Sequence, residues 1–210
     1  LIPRLISYLR TLHKNGQPIR DDGPATHLTK AGTPTMGGLM ILVSTVITTL
    51  LFANLMNPYI WICLFVLISF GVLGFLDDYT KVSQGNYHGI SGRMKLIIQF
   101  LVSIIAFIAI WYYANPEYAT QLSFPFFKKL FLDLGYFYIP FAMVVIIGSS
   151  NAVNLTDGLD GLAIGTIIIA VASFSLISYL VGNSIYAHYL QIIYVPYVGE
   201  VTVLCAAIIG

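Results

Sequence analysis

Between residues 31 and 76 the sequence contains no Asp, Glu, Lys or Arg. No other feature limits the fold as strongly. A membrane span needs about 20 predominantly apolar residues, so this stretch is long enough for two. Asn54, Asn57 and Pro58 mark the turn between them. The same reading along the chain places spans at 37–56, 59–76, 96–114, 138–150, 162–181 and 198–210. Asn115-Pro116 ends the third and Gly182-Asn183 breaks the fifth. In lipid every backbone polar group must pair internally, and these runs are continuously apolar rather than alternating. They are therefore helices and not barrel strands.

Composition agrees. Of 210 residues, 58% are hydrophobic and 9% charged, and mean hydropathy is +0.84. A soluble domain carries about 25% charged residues. An ordinary cytosolic domain, a disordered tail and a basic nucleic-acid binder are excluded, so nucleic acid is not a partner. The expected fold class is an all-α polytopic membrane protein with about five complete transmembrane helices and the start of a sixth. The chain opens on Leu1 and stops inside an apolar run at Gly210. It is expected to be one integral-membrane domain over residues 1–210, truncated at both ends. Cys63 and Cys205 lie in apolar runs without Cys-x-x-Cys spacing, as buried thiols do.

Lys and Arg set the orientation. Arg4, Arg10, Lys14, Arg20 and Lys30 precede the first span, and Lys81, Arg93 and Lys95 lie between the second and third. These segments share one side of the membrane, which should be the cytoplasm. Only Lys128 and Lys129 lie opposite. Residues 1–14 space their apolar side chains as an interfacial helix does. The aromatic-rich segments 117–135 and 186–197 read as belts at the opposite surface.

Six of the nine acids, Asp21, Asp22, Asp77, Asp78, Asp157 and Asp160, fall on the cytoplasmic side. The positive-inside rule barely constrains acids, so it does not explain the clustering. Asp77-Asp78 closes the second span. Adjacent carboxylates at a low-dielectric boundary repel, so one should resist ionisation or a cation should sit between them. Asn154, Asp157 and Asp160 are spaced three apart, sharing one face of a helical turn, with Gly158 and Gly161 allowing close approach of a ligand. The segment has no Lys or Arg, which suits a nucleobase, a ribose or a hydrated metal. A third segment, 27–38, combines Lys30, Thr33, Thr35, Gly37 and Gly38 at the start of the first span. A helix N-terminus with glycines and hydroxyls suits a phosphate, although a Thr cap followed by Pro34 has the same composition. The three together read as one cytoplasmic-face pocket for phosphoryl chemistry with Mg²⁺, a metal that commonly uses one or two carboxylates plus substrate phosphates.

Residues 17–24 (Gln-Pro-Ile-Arg-Asp-Asp-Gly-Pro), the 27–38 segment, Asp77-Asp78-Tyr79-Thr80-Lys81 and residues 151–161 occur in that order. In sequence and order they resemble the phospho-N-acetylmuramoyl-pentapeptide-transferase family. That family is a branch of the polyprenyl-phosphate N-acetylhexosamine-1-phosphate transferases. Lys81 stands where sugar-specific branches tend to carry a further Asp. The resemblance implies a Mg²⁺-dependent phosphoglycosyl transferase of the bacterial cytoplasmic membrane, multi-pass, with its active site on the cytoplasmic face. The implied reaction moves phospho-MurNAc-pentapeptide from UDP-MurNAc-pentapeptide to undecaprenyl phosphate. It yields lipid I and UMP for peptidoglycan synthesis.

By the same resemblance Asp77 is the catalytic base or nucleophile. Asp78 supports it, and both carboxylates are candidate metal ligands. Lys30 and Thr35 line the nucleotide pocket, and Lys81 holds phosphate charge. Asn154, Asp157, Gly158, Leu159 and Asp160 form the uridine-side loop. Direct attack by the lipid phosphate and a covalent aspartyl-phosphate both remain open. A homodimer is a further expectation. The family fold has ten spans, and its main metal Asp and a triple-His loop have no counterpart here. The 210-residue chain alone is accordingly expected to be inactive, which transfer of labelled substrate by the purified chain would refute. Rival readings are another polyprenyl-phosphate sugar-1-phosphate transferase and a membrane transporter. A transporter would place charges at mid-membrane on broken helices, whereas these spans are charge-free.

Overall fold

A computed structural model of the chain describes residues 37–84, 89–115, 118–124, 130–156 and 161–210. Among the described residues seven α-helices carry the architecture: α1 (Gly38–Phe52), α2 (Pro58–Gln84), α3 (Gly92–Tyr113), α4 (Tyr138–Thr156), α5 (Leu162–Gly182), α6 (Ser184–Leu190) and α7 (Val201–Ile209). Four helical segments are long and apolar enough to cross a membrane: Pro58–Ser83, Gly92–Tyr113, Gly135–Thr156 and Leu162–Gly182. Two shorter apolar segments, Gly38–Phe52 and Val198–Ile209, accompany them. The chain is an all-α polytopic membrane protein. Its outer surface shows why: Ile169 is 70% exposed and Phe174 64% on a helix that is apolar all round. Such a helix is stable only against lipid or deep inside a larger protein.

Successive helices run antiparallel, so the bundle has two distinct ends. The charged end gathers the close of α2, the start of α3 and the close of α4. The opposite end gathers the starts of α2, α4 and α7 with the closes of α1, α3 and α5. The core sits toward this opposite end, where α7 packs against α1, α2 and α5. Ile60, Leu64 and Leu204 are its buried centre, with Val46, Leu67 and Ile208 packed around them. Two glycines allow backbones to close up. A Cβ on Gly71 of α2 would lie 2.6 Å from Leu42 Cδ2 of α1. A Cβ on Gly182 would overlap the backbone nitrogen of Gly199.

Several helix ends differ from the apolar runs, each for a local reason. α1 stops at Phe52, short of 56. Ala53 turns to extended backbone (φ −86°, ψ 154°), and Asn54 Oδ1 accepts the Met56 N–H at 3.0 Å. α2 continues past Leu76 to Gln84, carried by Lys81 pairing back to acids three and four residues earlier. α4 continues through Asn151 to Thr156, so the first half of the acceptor-rich segment is helix. The aromatic segment after α3 contains a short antiparallel pair, β1 (Gln121–Ser123) with β2 (Phe131–Asp133), in register Leu122 to Leu132. Its strands are three residues each, too short to show an alternating pattern among so many aromatic side chains.

Candidate functional site

Asp77 lies on α2 and is only 6% exposed. Its carboxylate is fully engaged. Lys81 Nζ, one turn along the helix, is 2.8 Å from Oδ2. Lys95 Nζ, from the first turn of α3, is 2.8 Å from Oδ1. The Ile90 backbone N–H donates to Oδ1 at 2.8 Å. Gly89, just before it, presses against the same oxygen, and a Cβ there would overlap Asp77 Oδ1. Gly89 and Ile90, just before α3, therefore lie against the carboxylate, and only glycine fits at the closest point.

The sequence builds this locally. Asp at i with Lys at i+4, acid first, is the favourable order on a helix. Ser91 caps α3, its Oγ accepting the Met94 N–H at 3.4 Å. A lysine in the first turn of a helix opposes the positive end of the helix dipole. Lys95 occupies such a place because Asp77 offsets the repulsion at contact distance. Lys81 Nζ also lies 3.4 Å from Asp78 Oδ1, so the cation expected between the adjacent carboxylates is the Lys81 ammonium.

A polar seam leads from this cluster to α4. Gln99, one turn beyond Lys95, is buried at 6% exposure. Its Nε2 donates to Ser150 Oγ at 3.2 Å, and its Oε1 accepts from Asn151 Nδ2 at 2.9 Å. Asn151 also donates to the Ile147 carbonyl at 2.8 Å. Asn154 follows three residues later, exposed in the last turn of α4. The seam thus aims the end of α4 toward the Asp77 end of α2 and α3. Residues Lys30, Thr35, Asp157, Gly158, Leu159 and Asp160 lie outside the described residues.

Of the residues singled out in the sequence, the structure brings Asp77, Asp78 and Lys81 together and leaves Asn154 one turn beyond Asn151, while Lys95, Gly89, Gln99 and Asn151 join the cluster or its seam without having been singled out. A signal existed for two of them. Gln99 and Asn151 are polar residues in otherwise apolar helices, and such residues face the interior and carry roles. Among the described residues no three His, Cys, Asp or Glu side chains converge as a metal cage. The donor set present, two adjacent carboxylates flanked by ammoniums, fits Mg²⁺ only in its usual mode, with most ligands from water and substrate phosphate.

The site is thus a buried carboxylate clamped by two lysines at one end of an all-α membrane bundle. Residues 60–205 match the family model described as Glycosyl transferase family 4, and the chain belongs to that family. Residues 30–42 match phospho-N-acetylmuramoyl-pentapeptide-transferase signature 1, a stretch that contains Lys30 and Thr35. The chain is 60% identical over 209 residues to the phospho-N-acetylmuramoyl-pentapeptide-transferase of Rickettsia akari, and likewise to that of Rickettsia felis. It is 57% identical over 208 residues to the Rickettsia prowazekii protein of that name. These alignments cover 99% of this chain and 57% of each relative. The chain therefore spans a little over half the length of the curated relatives it matches. The resemblance read from the four motifs agrees with both family matches.

Proposed function

We propose that this chain contributes the Asp77 pocket of a phosphoglycosyl transferase. The enzyme moves phospho-MurNAc-pentapeptide from UDP-MurNAc-pentapeptide to undecaprenyl phosphate, giving lipid I and UMP. The observation that carries the reading is the Lys81–Asp77–Lys95 clamp, at the end of the bundle where the acids and bases of the sequence cluster. Phosphoryl transfer is mostly positioning and charge stabilisation. Two ammoniums beside a carboxylate supply both. When substrate phosphates enter, Lys81 and Lys95 exchange their contact with Asp77 for phosphate oxygens. That exchange frees an Asp77 oxygen for one of two routes: it takes the proton of the lipid phosphate, whose oxygen then attacks the β-phosphorus of the UDP carrier as UMP leaves, or it attacks that phosphorus itself as UMP leaves and is then displaced by the lipid phosphate. Either route starts from an uncovered carboxylate, and the Ile90 N–H keeps it oriented.

Asp78, beside the phosphates, and Asp77 are the residues that would hold Mg²⁺. The ion would neutralise charge developing on the transferring phosphoryl group. Lys30 and Thr35, within the signature match, would bind nucleotide phosphate, and Asn154 with Asp157, Gly158, Leu159 and Asp160 the uridine side. The cytoplasmic face of the bacterial inner membrane is the side favoured by the lysines and arginines around this end. A homodimer is compatible with the exposed apolar faces.

The test uses a protein of the relatives' full length. Asp77→Asn is expected to lower transfer by roughly 10²–10⁴-fold, the range lost with a positioned acid–base group, with membrane insertion unchanged. Asp78→Asn should fall in the same direction. Near-wild-type turnover in Asp77→Asn sinks the assignment.

A further inference from the structure

The opposite end of the bundle holds a cavity of about 1020 Å³ that the phosphoryl site does not use. Tyr59 lines it, 18 residues before Asp77 on the same helix, or about 27 Å at 1.5 Å per residue. The cavity is at the upper end of the size of ordinary ligand pockets. Ile62, Ile110, Val195 and Val201 form much of its apolar wall. Tyrosines 59, 113, 118 and 194 also line it, and among the described lining residues none is charged.

Three further observations mark it as a built site. First, Tyr197 lines it with φ +69°, a left-handed conformation that costs a non-glycine residue about 1–2 kcal/mol. Second, that strain is held by Asn57, which is 2% exposed and donates Nδ2 to the Tyr197 carbonyl at 2.7 Å. Asn57 Oδ1 is fixed in turn by the Tyr59 N–H at 2.9 Å. Third, the irregular backbone of residues 193–196 lines the cavity between two helical segments. In a membrane protein non-helical backbone is tolerated where protein or a cavity shelters it. Strained residues of this kind gather at ligand clamps.

We infer that this cavity binds one hydrocarbon chain of a lipid, seated beneath a rim of uncharged tyrosine and asparagine groups. Water fills such a space poorly, because a buried water needs two to four polar partners and most of the wall is apolar. The described wall is mostly aliphatic and aromatic, which suits a hydrocarbon chain. The site stands independently of the phosphoryl reading, since nothing in it depends on Asp77.

The experiment is photolabelling, in phosphatidylcholine nanodiscs, of a protein of the relatives' full length that contains this chain. One arm uses a phosphatidylcholine with a diazirine at the end of one acyl chain. The other uses a neutral polyprenol with a terminal diazirine. Labelled peptides are mapped by mass spectrometry. Adducts on Ile62 and Val201 are expected to exceed those on lipid-facing Ile169 by about tenfold, an affinity preference of ordinary size. Excess unlabelled chain should compete them away, and Ala119→Trp, which fills the cavity, should remove them while leaving Ile169 labelling unchanged. Enrichment in the acyl arm assigns a bilayer chain, enrichment in the polyprenol arm an isoprenoid, and enrichment in both the hydrocarbon chain in general. Equal labelling of Ile62 and Ile169, or labelling that neither competition nor filling reduces, overturns the inference. Cross-linking of the cavity to another protein chain in place of the probe overturns it as well. Competition needs no variant, so the test survives if Ala119→Trp does not fold.

Discussion

The two ends of α2 are built on opposite principles. At its close, Asp77 is buried by charge: two ammoniums and a backbone N–H replace the water it lost. At its start, Asn57 is buried by neutral hydrogen bonds, and the surrounding wall is tyrosine and aliphatic. Burying a charge is far costlier than burying an amide, and it is tolerated only when paired and hydrogen-bonded. The charged end therefore has to be rigidly complete, whereas the neutral end can enclose empty volume. One helix thus carries a site suited to phosphate at one end and a site suited to hydrocarbon at the other.

Glycine offers the sharpest way to test that contrast. Gly89→Ala places a methyl on Asp77 Oδ1 and beside Lys81 Cε. In a full-length protein it is expected to cut transfer by about 10²-fold, the loss that follows a displacement of about 1 Å at a reacting group. Gly92→Ala is the control. It lies three residues away, its added Cβ meets nothing within 4 Å, and it should leave transfer unchanged. Equal activity in the two variants, measured as initial rates, would break the claim that Gly89 is packed against the carboxylate.

The same glycine comparison shows what the sequence made legible. Asp77, Asp78 and Lys81 stand at helical spacing, so their cluster can be read from one dimension. Lys95 and Gly89 reach Asp77 from outside α2, and no periodicity records a contact between separate elements. Lys95 still left a trace as a cation at the start of an apolar helix, where the dipole disfavours it. The spans were legible because lipid dictates their length and polarity. The end of α1 was not, because Asn54 and Asn57 act through side-chain bonds that hydropathy averages away. The bond from Asn151 to Gln99 crosses between helices, so spacing along one helix does not reveal it.

At the neutral end the corresponding change should act on stability instead of chemistry. Gly182→Ala drives a methyl into the backbone of Gly199, where no flexible side chain can yield. Overpacking of this kind costs about 1–3 kcal/mol. Gly165→Ala, in the same helix with nothing within 4 Å, should cost nothing and gain a little helix propensity, up to about 1 kcal/mol. Thermal unfolding in detergent separates them. A Gly182→Ala variant as stable as Gly165→Ala would show that α5 and residues 198–200 can slide apart, and the close packing beside the cavity would lose its basis.

The smallest effect is a pH response of the surface hairpin at that end. Asp133 closes β2, and its Oδ1 accepts from the Thr120 hydroxyl at 2.6 Å and from the Gly135 N–H at 2.9 Å. The Thr120 bond first, and the Gly135 N–H second, hold its carboxyl below the ordinary aspartate value. An acid so lowered lends its stabilisation in full above the unfolded value, near pH 4, and loses it as pH falls through the folded value beneath. Between about pH 5 and 8 the hairpin should therefore not change. Below about pH 4 the Gly135 and Leu134 amides should begin to exchange faster, while those of α2 beside Asn57 stay protected. Thr120→Val should move the onset to higher pH, because it removes the larger of the two lowering bonds. Hairpin amides that respond to acid no earlier in Thr120→Val than in the parent would remove Asp133 as the turn's fastening. Asp133 is fully solvated, so its response belongs to the turn alone. Loss of protection in α2 over the same pH range would mean that the hairpin and the helix ends open as one unit.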